Sequence, residues 1–340
     1  MRASVVIRSK DEAPRLRLTL ASLAYQSEEA EVVVVNDGSS DDTPAVIAAA
    51  TRTMPIIRVD HSVPVGRSAA ANAGAVAATG DILIFLDGDT LAGPDLVARH
   101  MSVHRHAAGR VARGETFHLR QTRLLADPET GRPMPGEEAR VEALSARELE
   151  RLRVSAVEIA EDFAAIDRRA QPGIYPGAGP RELYELEIDA LRSHPDCDAL
   201  WAAASGANQS VNRTDFLAVG GFHPQLTINE HREVALRLCK AGLRMALADG
   251  ARSYHMTHRK GWRDPLEDGD WEATFYREHP ISEVPLLSVL WGSLSANGAY
   301  PQAARIADIP ALARAARRCD GVFGPEAVRR AHVTAALTGG

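Results

Sequence analysis

Two carboxylates one residue apart close an apolar run in the segment Ile84-Phe-Leu-Asp87-Gly-Asp89-Thr. Ile82 to Leu86 has the composition of a buried strand, so Asp87 and Asp89 fall where that strand gives way to a loop. Side chains at i and i+2 of an extended segment point to the same side. Two carboxylates converging there, with no basic residue between them, suit a divalent cation that carries phosphates. Mg2+ and Mn2+ take oxygen ligands and are commonly held by one or two carboxylates plus substrate phosphate. A D-x-D arises easily by chance, so the elements that position it decide its meaning.

The first 90 residues alternate strand and helix patterns. Strands are expected at Ser4–Ile7, Ala30–Val35, Ile56–Val59 and Ile82–Leu86, and helices at Pro14–Tyr25, Pro44–Thr51 and Gly66–Ala78. That order implies an α/β fold with a Rossmann-like, mostly parallel central sheet covered on both faces, with ligands at the carboxyl ends of its strands. Asp37, Gly38, Arg67, Asp87 and Asp89 all lie at or near such ends. Further strands are expected at Val111–Leu119 and Met245–Ala248, and helices at Leu183–Leu191, Thr214–Val219 and Glu233–Ala241. Val141 to Arg169 reads as one or two charged helices. Gln171 to Pro180, with three prolines and three glycines, reads as a lid or surface loop. Beyond residue 258 the chain is mostly helical, apart from loops around Pro265, Pro280 and Pro301.

The chain has 340 residues and a formal net charge of -6, which argues against a dedicated nucleic-acid binder. The N-terminus enters a strand directly, without a signal peptide, and no apolar run approaches the length of a membrane span. Cys197, Cys239 and Cys319 are odd in number and scattered, which fits a reducing cytoplasm. A soluble, cytoplasmic protein is expected.

Taken in order, these motifs resemble glycosyltransferase family 2, the nucleotide-sugar-dependent enzymes of the GT-A fold. The resemblance is carried by Val5-Val-Ile-Arg8-Ser-Lys10-Asp11-Glu12, Leu23-Ala-Tyr-Gln26 and Val32-Val-Val-Val-Asn-Asp37-Gly-Ser. It continues through Gly66-Arg67-Ser-Ala-Ala-Ala-Asn72, the D-x-D, Ser205-Gly206-Ala-Asn208, Gly220-Gly-Phe222 and Glu230-His231-Arg-Glu233 with Arg237. The order is collinear over roughly residues 3 to 260. Two positions depart from the family pattern. His231 stands where its aspartate base is expected, and Ala71 where its helix carries arginine; Arg67, one turn earlier, offers a comparable charge.

The resemblance implies a GT-A domain over 1–260, with a nucleotide-binding half at 1–106 and an acceptor-binding half at 107–260. The latter holds a helical insertion near 120–195, expected to form acceptor-side structure or a homodimer contact, and 261–340 forms a C-terminal helical extension. It further implies Mn2+ or Mg2+ and a nucleoside-diphosphate sugar, with UDP as the nucleotide. Asp89 is the first metal ligand, Asp87 a second ligand or a contact to the ribose or a metal-bound water, and His255 the residue completing the shell, with His258 as runner-up. Arg259 and Lys260 would meet the diphosphate. Asp37 would face the base, Arg8, Lys10 and Asp11 would line the nucleotide, and Arg67 would neutralise phosphate. Gly206 and Asn208 would meet sugar or acceptor, and Trp201 is either a sugar platform or a core residue. The base for an inverting displacement is left among His231, Glu230 and Glu233. Absence of the Gln-x-x-Arg-Trp motif and of membrane helices favours a non-processive transferase acting on a small molecule, peptide or glycan precursor. The rival readings are a catalytically altered nucleotide-sugar-binding protein and a sugar-phosphate nucleotidyltransferase.

Overall fold

Runs of β-branched residues extend the N-terminal half, because such side chains pack well on a pleated surface and are stiff in helices. The computed structural model describes residues 1–172, 183–258, 266, 269–294 and 300–338. Its strands are β1 (Ala3–Ser9), β2 (Glu31–Asp37), β3 (Ile56–His61), β4 (Ile82–Asp87), β5 (Thr90–Ala92), β6 (Arg110–Leu119), β7 (Leu125–Asp127), β8 (Arg132–Pro133), β9 (Gln171–Pro172), β10 (Gln209–Asn212) and β11 (Arg244–Met256). The helices of the first half are α1 (Ala13–Leu23), α2 (Thr43–Ala50), α3 (Arg67–Ala77), α4 (Leu96–His106), α5 (Glu138–Glu142), α6 (Ala146–Leu152), α7 (Ala156–Glu161) and α8 (Phe163–Arg169). Those of the second half are α9 (Leu183–Ser193), α10 (Arg213–Ala218), α11 (Glu230–Lys240), α12 (Asp270–Glu278), α13 (Glu283–Leu294), α14 (Ile309–Arg318) and α15 (Pro325–Thr338).

The main sheet runs β3-β2-β1-β4-β10-β6-β11-β5, with β9 paired to β6. β1, β2, β3 and β4 are mutually parallel, as are β6 and β11, while β10 runs antiparallel between β4 and β6. Helices cover both faces, which is why the strands read as continuous apolar runs. Val5, Ile7, Val32, Val34, Ile84 and Leu86 pack with Leu16 and Leu20 of α1 and Leu96 and Met101 of α4. The alternate residues Val6, Val33, Leu83 and Phe85 pack with Ala71 and Ala75 of α3. This second cluster continues into Trp271, Phe275, Leu287, Trp291, Ile309 and Leu312 of the C-terminal helices.

Three local differences from the sequence reading have identifiable causes. α4 and β5 lie in a stretch where no element was expected. β11 extends over thirteen residues rather than Met245–Ala248. Its register against β6 shifts between Leu247 and Arg252, and Gly250 at φ +76° absorbs the irregularity that breaks the apolar run. Residues 141–169 form several short helices, because the side chains of Ser145, Ser155 and Asp162 each accept an amide hydrogen bond and restart the helix. No helix among the described residues is long and apolar enough to cross a membrane, and Cys197, Cys239 and Cys319 are free thiols.

A buried polar chain ties α4 to the sheet. Asn208 Nδ2 donates to the carbonyls of Glu115 and Ala251 at 3.0 and 2.8 Å, so its Oδ1 must be the atom that meets His100 Nε2 at 2.7 Å. His100 therefore donates from Nε2 and accepts at Nδ1 from the Ser210 hydroxyl, which in turn accepts from His104 Nε2, both at 2.8 Å. Every member is satisfied with both imidazoles neutral, and burial pushes each of them down to about 4. Their folded values lie below the ordinary one near 6.5, so the unfolded chain binds more protons between those limits. Stability is full above pH 6.5 and falls as pH drops toward 4, by on the order of 1 kcal/mol per histidine per pH unit. Thermal melting between pH 7 and 5 should show this decline, and a His100→Asn/His104→Gln variant should flatten it. An unchanged pH slope in that variant would refute the assignment.

Candidate active site

Backbone pairing brings the D-x-D beside β11. His255 is in register with Thr90, and the Met256 amide donates to the Asp89 carbonyl at 2.9 Å. Asp89 Oδ2 consequently lies 2.8 Å from His258 Nε2 and 3.3 Å from His255 Nε2. Ligand atoms of these three residues all fall within 4.8 Å of one another. Burial alone would raise Asp89, but His255 and His258 together hold it well below the usual carboxylate range. One hard carboxylate oxygen and two imidazole nitrogens form a donor set that fits Mn2+ better than Mg2+, which prefers an all-oxygen shell.

Behind the triad stands His118, which sequence reasoning missed. It pairs in register with His255, and their Nδ1 atoms are 3.3 Å apart. Burial and the adjacent His255 push His118 down to about 3, so it stays neutral. With a cation held at the triad, a neutral His118 would accept at Nδ1 the proton of His255, which would free the Nε2 lone pair of His255 for the cation. Glu12 was missed as well. A Cβ at Gly88, the central residue of the D-x-D, would collide with its carboxylate. Burial and the charges of Asp89 and Asp87 push Glu12 well above the usual range.

Asp87 is engaged by two arginines instead. Its carboxylate takes Arg8 Nε at 2.7 Å and Arg67 Nη2 at 3.4 Å, and it lies outside the triad. Arg8 also reaches Glu230 Oε1 through Nη1 at 3.2 Å. The guanidinium thus bridges the D-x-D to the start of α11, a contact between residues 222 apart in sequence. Burial would raise Glu230, yet Arg67, His231 and Arg8 hold it far below the usual range, so it is ionised.

His231 has a different constraint. Arg232 Nη1 lies 2.9 Å from its Nε2, and arginine can only donate. The ring's lone pair is therefore taken by Arg232, and its proton sits on Nδ1, which is 3.7 Å from Glu230 Oε2. Burial pushes His231 below its ordinary value; Glu230 pulls it up and Arg232 pushes it down again. Glu233, the third candidate base, is held by two partners. Its carboxylate holds Arg237 at 2.6 Å and His279 at 2.8 Å, and it is 1% exposed.

The nucleotide-side residues divide. Asp37 accepts from the Val65 and Gly66 amides at 2.8 and 3.0 Å and meets His61 Nδ1 at 2.9 Å, so in this structure it closes the loop leading into α3. Burial would raise it, but those three contacts hold it below the usual range. Asp11 accepts from the Ser40 amide at 2.7 Å and pairs with Lys10 at 3.1 Å, both exposed at the end of β1. Gly206 lies at the Arg8–His231 junction. Two of the candidate residues lie in the core, and for Trp201 this is one of the two readings the sequence left open. Trp201 is 2% exposed, edge-on to Phe275 with centroids 5.7 Å apart, so its indole is core and offers no platform. Asn208 is fully buried and spends its amide on the His100 chain and the sheet carbonyls, so it cannot also bind sugar. Arg259 and Lys260 lie outside the described residues.

The fold and the carboxylate-imidazole cluster at the strand ends define a GT-A-type α/β protein. Among solved structures, S. aureus TarS 1-349 in complex with UDP superposes with a TM-score of 0.53 at 12% identity, covering 100% of this chain and 92% of that one. Residues 4–118 match the family model Glycosyl transferase family 2. Validoxylamine A glucosyltransferase of Streptomyces hygroscopicus subsp. jinggangensis is 28% identical over 82% of this chain and 61% of its own length. YfnE of Bacillus subtilis, described as an uncharacterized glycosyltransferase, is 37% identical over 34% of this chain and 30% of its own. The chain spans less than two thirds of the length of either relative. Residues 4–118 thus match a family 2 glycosyltransferase domain, carried on a GT-A-type fold.

Proposed function

We propose that the chain is an inverting, metal-dependent glycosyltransferase that moves a sugar from a UDP-sugar to a hydroxyl of a small-molecule or glycan-precursor acceptor. The observation that carries this reading is the convergence of Asp89, His255 and His258 next to the Arg8-bridged pair Asp87 and Glu230. A divalent cation held by Asp89, His255 and His258 would supply charge stabilisation to the leaving diphosphate. Arg67 adds positive charge on the same side. Glu230 is ionised and keeps lone pairs beyond the one given to Arg8, so it takes the acceptor's hydroxyl proton. The acceptor oxygen bonds to the anomeric carbon as the bond from that carbon to the diphosphate breaks, and the nucleoside diphosphate leaves with the electron pair. His231 positions Glu230, because its own lone pair is engaged by Arg232.

The domain match and the named glucosyltransferase relative support this class of reaction, and the UDP complex of TarS makes uridine the first nucleotide to test. The test is incubation with UDP-glucose, UDP-galactose or UDP-GlcNAc and Mn2+, followed by NMR of the products. UDP release that stops with EDTA, and an inverted anomeric configuration, are expected. Release of pyrophosphate, or donor binding without turnover across a broad acceptor screen, would overturn the proposal.

A further inference from the structure

One guanidinium holds the residues on both sides of Glu230. Arg232, in the first turn of α11, donates through Nη1 to Asn229 Oδ1 at 2.8 Å and lies 2.9 Å from His231 Nε2 through the same nitrogen. Asn229 stands at φ +63°, the left-handed backbone from which α11 starts, directly before Glu230. The rest of the Arg232 fork is anchored elsewhere. Nε donates to the Ala202 carbonyl at 2.8 Å and Nη2 to Glu187 Oε1 of α9 at 2.6 Å. The guanidinium carbon sits 5.3 Å from the centre of the Trp291 ring of α13. Glu187 has its second oxygen 2.7 Å from Nη1 of Arg113 on β6, and that nitrogen also donates to the Ala203 carbonyl at 3.0 Å. Arg113, Glu187 and Arg232 are all buried.

We infer that Glu187 is a positioning residue for the base: it fixes Arg232, which holds Asn229 and His231 and so sets the placement of the Glu230 carboxylate between them. This rests on the proposed transferase function with Glu230 as base. The chemistry of the contacts favours a geometric task over plain cohesion between α9 and α11. A buried ion pair stabilises no better than well-packed apolar side chains of the same volume, because taking the charges out of water offsets their attraction. What the charges add is direction. The planar fork of arginine has fixed donor geometry, and one carboxylate oxygen on each arginine restrains both forks. With Nη2 on Glu187 and Nε on Ala202, the two hydrogens of Nη1 are aimed at Asn229 and His231. Neutralising Glu187 leaves two buried cations without their shared counter-charge, and the restraint on both neighbours of Glu230 goes with it. α9 thus acts on the base from outside the strand-end cluster.

Glu187→Gln keeps the shape of the side chain but offers one acceptor oxygen and one donor amide, so one arginine loses its partner. Steady-state kinetics with Mn2+ and the UDP-sugar that the wild type turns over, together with the calorimetric Kd of UDP, would be compared in wild type, Glu187→Gln, Glu230→Gln and the double variant. Glu187→Gln is expected to lower kcat by about 10- to 100-fold, the scale of a misplaced reacting group, with donor KM and UDP Kd within about twofold. In the Glu230→Gln background the same substitution should lower kcat by less than about twofold, because the carboxylate it places is already gone. A merely loosened fold would lower kcat by the same factor in both backgrounds. Asn229→Gly decides should Glu187→Gln fail to melt cooperatively. Glycine adopts φ +63° without strain and removes the Oδ1 acceptor, so kcat should fall about fivefold with UDP Kd unchanged. Equal losses in the two backgrounds, an unchanged kcat in the deciding variant, or a loss confined to KM and UDP Kd would overturn the inference and leave the transferase reading standing. A wild type without turnover overturns that reading, and a Glu230→Gln variant as active as wild type overturns the base; either takes this inference with it.

Discussion

Asp89→Ala is expected to lose Mn2+-dependent turnover and to weaken Mn2+ binding by about 100-fold or more, read from free Mn2+ in an EPR titration. The substitution removes the sole carboxylate of the triad and leaves two imidazoles whose attraction for a hard cation is modest. His255→Ala and His258→Ala should each weaken binding in the same assay. His118→Phe should cost about tenfold, because His118 acts on the cation only by holding the proton of His255 away from Nε2. Asp87→Asn separates this geometry from a plain reading of the D-x-D, since its carboxylate is occupied by Arg8 and Arg67. That variant should bind Mn2+ as the wild type does. Normal Mn2+ affinity in Asp89→Ala, or its loss in Asp87→Asn, would contradict the assigned triad.

The second large effect is at the start of α11. Glu230→Gln should lower kcat by about 100- to 10,000-fold, the range for removing a general base, while donor affinity changes little. Glutamine preserves the shape and an acceptor for Arg8, so the loss reports the missing carboxylate rather than a disrupted pair. The pH profile carries the sign. Glu230 is held far below the usual carboxylate range, so the base is ionised throughout neutral and mildly acidic pH and kcat should show no acidic limb near 6. His231→Asn should reduce kcat less and leave that flat profile unchanged. An acidic limb in the wild type that vanishes in His231→Asn would transfer the role of base to the histidine.

Much of the scaffold was legible from local pattern. The strand-helix alternation of residues 3 to 87 needs only short-range information, because a parallel sheet buried on both faces writes itself as apolar runs separated by amphipathic or small-residue helices. The placement of Asp37, Asp87 and Asp89 at strand ends follows from the same pattern. Less could be read where elements depend on distant partners. The second part of β11 is polar and interrupted by Gly250, and it is a strand because β6 and β5 lie alongside it. Residues 90 to 110, with three histidines and no clean period, hide a helix that is amphipathic only once Ser210 and Asn208 satisfy His100 and His104.

The sequence by itself determined the order of elements and which residue types stand at the ends of the parallel strands, since both are properties of neighbours along the chain. Only the tertiary structure decided what each charged side chain meets. Trp201 and Asn208 occupy motif positions that suggest ligand contact, and packing turns both into core residues. Arg8, inconspicuous at the end of β1, becomes the bridge between Asp87 and Glu230. His118 meets His255, a strand partner 137 residues away. Periodicity reports which face of its own element a residue occupies. The contacts that bring Asp89 beside His255 and His258, and Arg8 beside Asp87 and Glu230, are made across elements, and they exist only once the sheet has closed.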